Sequence, residues 1–175
     1  MRTIRTKVYQ FSELSEQAKQ KAVENMYDIN ISHEWWEYTY EDAANVGLKI
    51  TAFDTGRSDY CDIEFIEDSN HTMETILKEH GEDCSTYKTA LNFKKEWAEL
   101  VEKYSDGVNK DKVSEDNEYE FDNEADELEK EFLKSLGEDY LTMLRNDYEY
   151  QTSEEAIIDT IEANEYEFTK EGNQF

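Results

Sequence analysis

Apolar and polar positions first alternate with a period of two. In "TKVYQF" (6–11) Val8 lies between polar neighbours in a β-rich run, which predicts a first strand. The period then becomes helical. After Ser15, a good N-cap, Ala18, Ala22, Met26 and Ile29 recur at helical spacing, with Lys19 and Lys21 turned outward. "ISHEWWEYTYEDAANVG" (31–47) predicts a second helix, with Trp36, Tyr40, Ala43 and Val46 on one stripe and Gly47 closing it at C′. Alternation returns in "LKITAFD" (48–54) and "YCDIEFIED" (60–68), which set Leu48, Ile50 and Ala52 on one face and Cys61, Ile63 and Phe65 on one face. "TGRS" between them marks a hairpin.

Two more helices follow. "SNHTMETILKEHG" (69–81) carries Met73, Ile76, Leu77 and His80 on one face, and "STYKTALNFKKEWAELVEKY" (85–104) carries Ala90, Phe93, Trp97, Leu100, Val101 and Tyr104. In the last third Leu128, Phe132, Leu136, Tyr140 and Leu144 give an amphipathic helix with a bend expected near Gly137. "TSEEAIIDTIEAN" (152–164) opens with Thr152 and Glu155 at capping-box spacing and buries Ile157, Ile158 and Ile161; "EYEFT" (165–169) reads as extended. The expected fold is a single α+β domain over 1–175, a small antiparallel sheet of about four strands against five or six helices.

Composition changes this picture in one respect. Lys and Arg total 18 against 44 Asp and Glu, a formal charge of -26, which repels nucleic acid and anionic membranes and suits basic partners. The 23 aromatics, Trp35, Trp36 and Trp97 among them, argue for a folded chain despite the acid. Residues 111–175 hold five basic and 22 acidic side chains, net -17, so the acid is concentrated toward the C-terminal end. Proline is absent and no Gly/Ser tract divides the chain. In 105–123 the apolar residues Val108, Val113 and Phe121 are sparse, which predicts a mobile acidic loop ahead of a strongly acidic helical segment, 124–175.

That acidic third supplies the candidate partner-binding residues: Glu115, Asp116, Glu118, Glu120 and Asp122 in the expected loop, and Glu124, Glu127, Glu131 and Glu138 beyond it. Only Lys130 and Lys134 intervene. Carboxylates at i, i+3 and i+4 of a helix stack about 5 to 6 Å apart, a spacing of the order of a phosphate ladder. Like charges so placed cost stability, and a binding function would account for that cost; acidic bias for solubility is the plainer alternative. "NEYEF" occurs at 117–121 and 164–168, with "NDYEY" at 146–150. The first copy, with Glu118 and Glu120, is a candidate contact. The middle copy closes a helix and the last is a structural strand. Trp35 and Tyr38, off the core stripe, are candidate aromatic anchors.

Other chemistry is weakly signalled. Cys61, His71, His80 and Cys84 could offer zinc two thiolates and two imidazoles, but the spacing has no C-x2-C knuckle and Cys61 and His80 fall on core faces. A Cys84–His80 nucleophile pair is interrupted by Gly81, and Glu82 and Asp83 would raise the thiol pKa. "DKVSEDNEYEFD" (111–122) lacks the Gly and final Glu of an EF-hand loop. No P-loop, G-x-G-x-x-G, G-x-S-x-G or H-E-x-x-H occurs, and no cofactor is expected. The opening "MRTIRTKVYQF" has no apolar stretch of signal or membrane-span length, and two cysteines form no disulfide framework, so a cytoplasmic setting is expected.

Four segments, "KVYQFSELSEQAKQKAVEN", "WWEYTYEDAANVGLKI", "EHGEDCSTYKTALNFKKEW" and "EAIIDTIEANEYEFT", resemble a family of small acidic proteins encoded by bacteriophages and mobile elements. The resemblance spans nearly the whole chain and implies a phage-derived context without supplying active-site residues. By analogy it suggests a counter-defence protein of the anti-CRISPR or anti-restriction kind, a non-enzymatic inhibitor in the host bacterial cytoplasm. Its partner would be a basic host protein that handles nucleic acid, with no direct nucleic-acid or membrane binding. The alternative is a structural or regulatory protein that binds through its aromatic N-terminal half.

Overall fold

The computed structural model describes residues 6–105 and 112–175, Asp116 by its backbone alone. The described chain is α+β, with six α-helices and two two-stranded antiparallel sheets: β1 (Tyr9–Gln10), α1 (Glu16–Asn25), α2 (Glu37–Asn45), β2 (Leu48–Asp54), β3 (Tyr60–Phe65), α3 (Ser69–Glu79), α4 (Ser85–Lys103), α5 (Glu118–Gln151), α6 (Glu154–Ala163) and β4 (Glu167–Phe168). Its contacts fall into two compact units. One comprises residues 1–36 and 146–175, the other 37–145.

The first unit is built from the two ends of the chain. Tyr9 pairs with Phe168 and Gln10 with Glu167, and the strand stops there because the Gln10 N–H donates to the Glu13 carboxylate at 2.9 Å, closing a 3-10 turn over Phe11–Glu13. That turn swings Phe11 inward to meet Phe168 edge-on at 6.1 Å. Their core adds Leu14, Ala18, Ala22, Met26, Ile157 and Ile161, and Ser15 caps α1 by accepting from the Ala18 N–H at 3.3 Å. Capping of α6 falls one residue later than the spacing predicts. The Thr152 hydroxyl donates back to the Tyr148 carbonyl at 2.8 Å, so Ser153, extended at φ -69°, accepts from the Ala156 N–H instead.

The second unit holds β2, β3, α2, α3, α4 and most of α5 around Ala43, Val46, Leu48, Ile50, Met73, Ile76, Phe93, Phe132, Leu136 and Tyr140. Gly47 takes φ +86°, the left-handed conformation that its place after α2 requires. The β2–β3 register slips between Ile50 and Ala52, and the hairpin loop is organised by Asp54, which accepts from the Gly56 and Ser58 N–H groups at 2.7 and 3.0 Å. Phe93 and Phe132 stack with ring centroids 4.1 Å apart, joining α4 to α5.

Three expectations are revised. The four strands form two separate pairs rather than one sheet, β1 with β4 and β2 with β3. The second helix begins at Glu37, since Ser32 donates back to the Ile29 carbonyl and the chain runs in turns up to Trp36. Of the expected loop 105–123, residues 106–111 lie outside the described residues; Ser105 bridges to Val113, Glu115–Asn117 is a 3-10 turn, and residues from Glu118 onward are helical. Phe121 anchors that start against Trp97 and Tyr104, at 5.8 and 6.2 Å.

Candidate partner-binding surface

The α5 helix runs uninterrupted for 34 residues, so its acids sort by helical angle. At 3.6 residues per turn Glu120, Glu124, Glu127, Glu131 and Glu138 fall within a sector of about 60°, one row roughly 27 Å long. Glu118 and Asp122, though exposed, lie at least about 120° away from that row. Glu115 is exposed on the preceding 3-10 turn, and the side chain of Asp116 is outside the described residues. The structure thus gathers five of the expected acidic contacts and separates the rest.

Charge compensation divides the row again. Lys103 of α4 reaches both Glu124 oxygens at 2.6 and 2.7 Å, and the Tyr104 hydroxyl donates to the same carboxylate at 2.9 Å. These contacts hold the Glu124 carboxyl below its usual range, the Lys103 bond contributing most. Glu127 pairs with Lys130 at 2.7 Å and Glu138 with Lys134 at 4.0 Å. Among the described residues Glu120 and Glu131 have no ion-pair partner and carry the uncompensated charge.

α4 and α5 run antiparallel, tied at one end by Lys103 and Glu124 and at the other by the Thr89 hydroxyl donating to Asp139 at 2.7 Å. Between them lies an open groove of ≈ 720 Å³ lined by Glu96, Glu99, Leu100 and Lys103 from α4 and by Asn123, Glu124, Glu127, Leu128 and Glu131 from α5. A second cavity of ≈ 430 Å³ shares Glu96 and Glu131 and continues past Phe93 and Phe132 toward Lys88 and Ser135. Charge clustering along the sequence does not single out Glu96 and Glu99. Their signal was available, because they flank the stripe of Phe93, Trp97 and Leu100 on α4, but only the α4–α5 pairing sets them opposite the α5 row.

The aromatic candidates part company. Tyr38 of α2 is 83% exposed. Trp35 is half-buried rather than displayed, because its ring packs edge-on against Trp36 and Tyr148, each at 5.5 Å.

The Cys/His set does not converge: among the described residues no group of three or more His, Cys, Asp or Glu could hold a metal ion. Cys61 is half-buried on β3, where burial and the Asp62 charge push its thiol up to about 11. It faces a cavity of ≈ 610 Å³ with Lys130, Lys134 and Glu138. Cys84 is exposed ahead of α4, and His71 is exposed on α3, where its backbone N–H donates to the capping Asp68 carboxylate.

His80 belongs to a network that periodicity did not reveal. Its Nδ1 lies 2.7 Å from the Thr86 hydroxyl and its Nε2 3.5 Å from Asp42, which also accepts from the Tyr140 hydroxyl at 2.9 Å. The His80 hydrogen bond, opposed by burial and aided by Tyr140, holds the Asp42 carboxyl below its usual range. Burial, with Asp42 adding to it, drives the Tyr140 phenol far above its own. Thr86 and Tyr140 are almost wholly buried, so this arrangement fixes α2, α3, α4 and α5 to one another.

No family model, curated protein or solved structure matches the chain. No helix among the described residues is long and apolar enough to cross a membrane.

Proposed function

We propose that the protein is a non-enzymatic inhibitor of phage type, acting in the host bacterial cytoplasm, that binds the basic nucleic-acid channel of a host defence protein. The α5 row, with Glu96 and Glu99 facing it, takes the place of the phosphates. The observation that carries this reading is the alignment of Glu120, Glu124, Glu127, Glu131 and Glu138 on one side of one helix, with two of the five uncompensated. Such a row attracts Lys and Arg side chains that otherwise hold a nucleic-acid backbone.

The test is capture from host lysate with immobilised protein. The captured partner should be displaced by duplex DNA and by raised salt, and Glu120→Lys with Glu131→Lys should abolish both capture and inhibition of its nuclease activity. Capture and inhibition indifferent to DNA, salt and charge reversal would sink the reading. A second reading rests on Tyr38, whose exposure suits an aromatic anchor. It is favoured if Tyr38→Ala weakens capture more than the two reversals do.

A further inference from the structure

The groove between α4 and α5 is more specific than an acidic surface. It runs from Lys103 and Asn123 to Lys88 and Ser135, about 20 Å along the helices, and Glu96 and Glu131 stand at its middle, where its two cavities meet. Acids occupy both walls. Its floor is apolar, formed by Leu100 and Leu128 and then by the stacked rings of Phe93 and Phe132. At the open end Lys103, the one cation lining the larger cavity, is already held by Glu124.

An occupant must therefore present one apolar column to the floor and positive charge to both sides of that column. An extended strand sets alternate side chains on opposite faces and so offers a single line of residues to the groove. A helix offers three adjoining columns, an apolar ridge at i, i+3, i+4 and i+7 flanked by its neighbours on either side. A length of about 20 Å corresponds to roughly 13 to 14 helical residues. Nucleic acid fails the charge requirement, since its phosphates would face five carboxylates.

We propose that the α4–α5 groove receives a basic amphipathic helix of the partner protein, an apolar ridge against Leu100 and Leu128 with Lys or Arg directed at Glu96 and Glu99 on one wall and Glu127 and Glu131 on the other. This rests on the reading of the acidic row as the binding surface, and adds that recognition is of a helix and is partly apolar.

Three fluorescent 14-residue peptides test it by anisotropy at 0.15 M NaCl against the full chain. The first has a Leu ridge flanked by Lys and Arg, the second Ser in place of Leu, and the third the composition of the first with the ridge scattered around the helix. The first should bind at least tenfold more tightly than either other peptide. Leu128→Gln should reduce that advantage at least fivefold while leaving affinity for the Ser peptide unchanged. Glu96→Lys with Glu131→Lys, both exposed positions whose reversal leaves the core intact, should remove binding of all three.

Equal binding of the three peptides, absence of binding by the first, or an advantage that survives the double reversal overturns the groove proposal. Failure of the broader reading is separable, because it shows as lysate capture that ignores Glu120→Lys and Glu131→Lys.

Discussion

Asp42 accepts from a buried phenol and lies beside the His80 ring, and each of those neighbours would lose a partner if it were removed. Asp42→Ala should therefore lower stability by about 2 to 3 kcal/mol in urea unfolding, and Tyr140→Phe, which removes only a donor, by about 1 kcal/mol. The pH dependence has a definite sign. Because the folded Asp42 carboxyl titrates below its unfolded counterpart, its contribution is complete above the ordinary Asp range and is lost as pH falls through the lowered folded value. Asp139 behaves oppositely, because burial raises its carboxyl more than the Thr89 hydroxyl lowers it. Asp139→Asn, which still accepts from Thr89, should raise the urea midpoint at pH 7, an advantage that disappears once pH falls below the ordinary Asp range. A midpoint that drops at pH 7 would show that the charge is needed there. None of these partnerships was legible in the sequence, where His80 read as one more member of an apolar stripe and Asp42 as one acid among 44.

Among the elements, α5 carries both packing and charge, and its two sides were legible to different degrees. Spacing alone places Leu128, Phe132, Leu136, Tyr140 and Leu144 on its inner face; the last four are buried, and Leu128 is half-buried at the groove. Gly137 read as a bend. Its structural use is close approach: a Cβ there would stand 2.8 Å from the Cys61 carbonyl oxygen on β3. Gly137→Ala must push β3 or α5 aside, at a cost of about 1 to 3 kcal/mol, whereas Gly81→Ala, with open space around it, should be nearly neutral. Equal effects in thermal melts would deny the close contact. The acidic row was half legible, since composition pointed to the region but helical angle and ion pairing decided which acids act together. Glu131→Lys relieves repulsion from Glu127 one turn away, so it should leave Tm unchanged or slightly higher while binding is lost, dissociating stability from function.

Across the whole molecule, local periodicity reads each element but not its distant partner. The Tyr9–Phe168 pairing joins residues from opposite ends of the chain, and nothing in "TKVYQF" or "EYEFT" says that each strand's neighbour is the other. The same limit hid the groove, whose walls are separate helices. Global charge raises a question that only the whole chain can answer: whether -26 acts as a total or through position. Self-repulsion depends on the total, so NaCl from 0.1 to 1 M, shortening the screening length from about 10 to about 3 Å, should raise Tm. Partner binding depends on position and should weaken over the same range. Two triple variants with identical net charge separate the effects. Glu96, Glu120 and Glu131 changed to Gln remove charge from the groove and row; Glu149, Glu162 and Glu171 changed to Gln remove as much from exposed sites in the unit formed by the chain ends. Both sets should raise Tm at low salt. The first should cut affinity at least tenfold, and the second should change it no more than about twofold, mostly through the association rate. Equal losses would mean that the acid acts as bulk charge, and the ordered row on α5 would then have no recognition to explain.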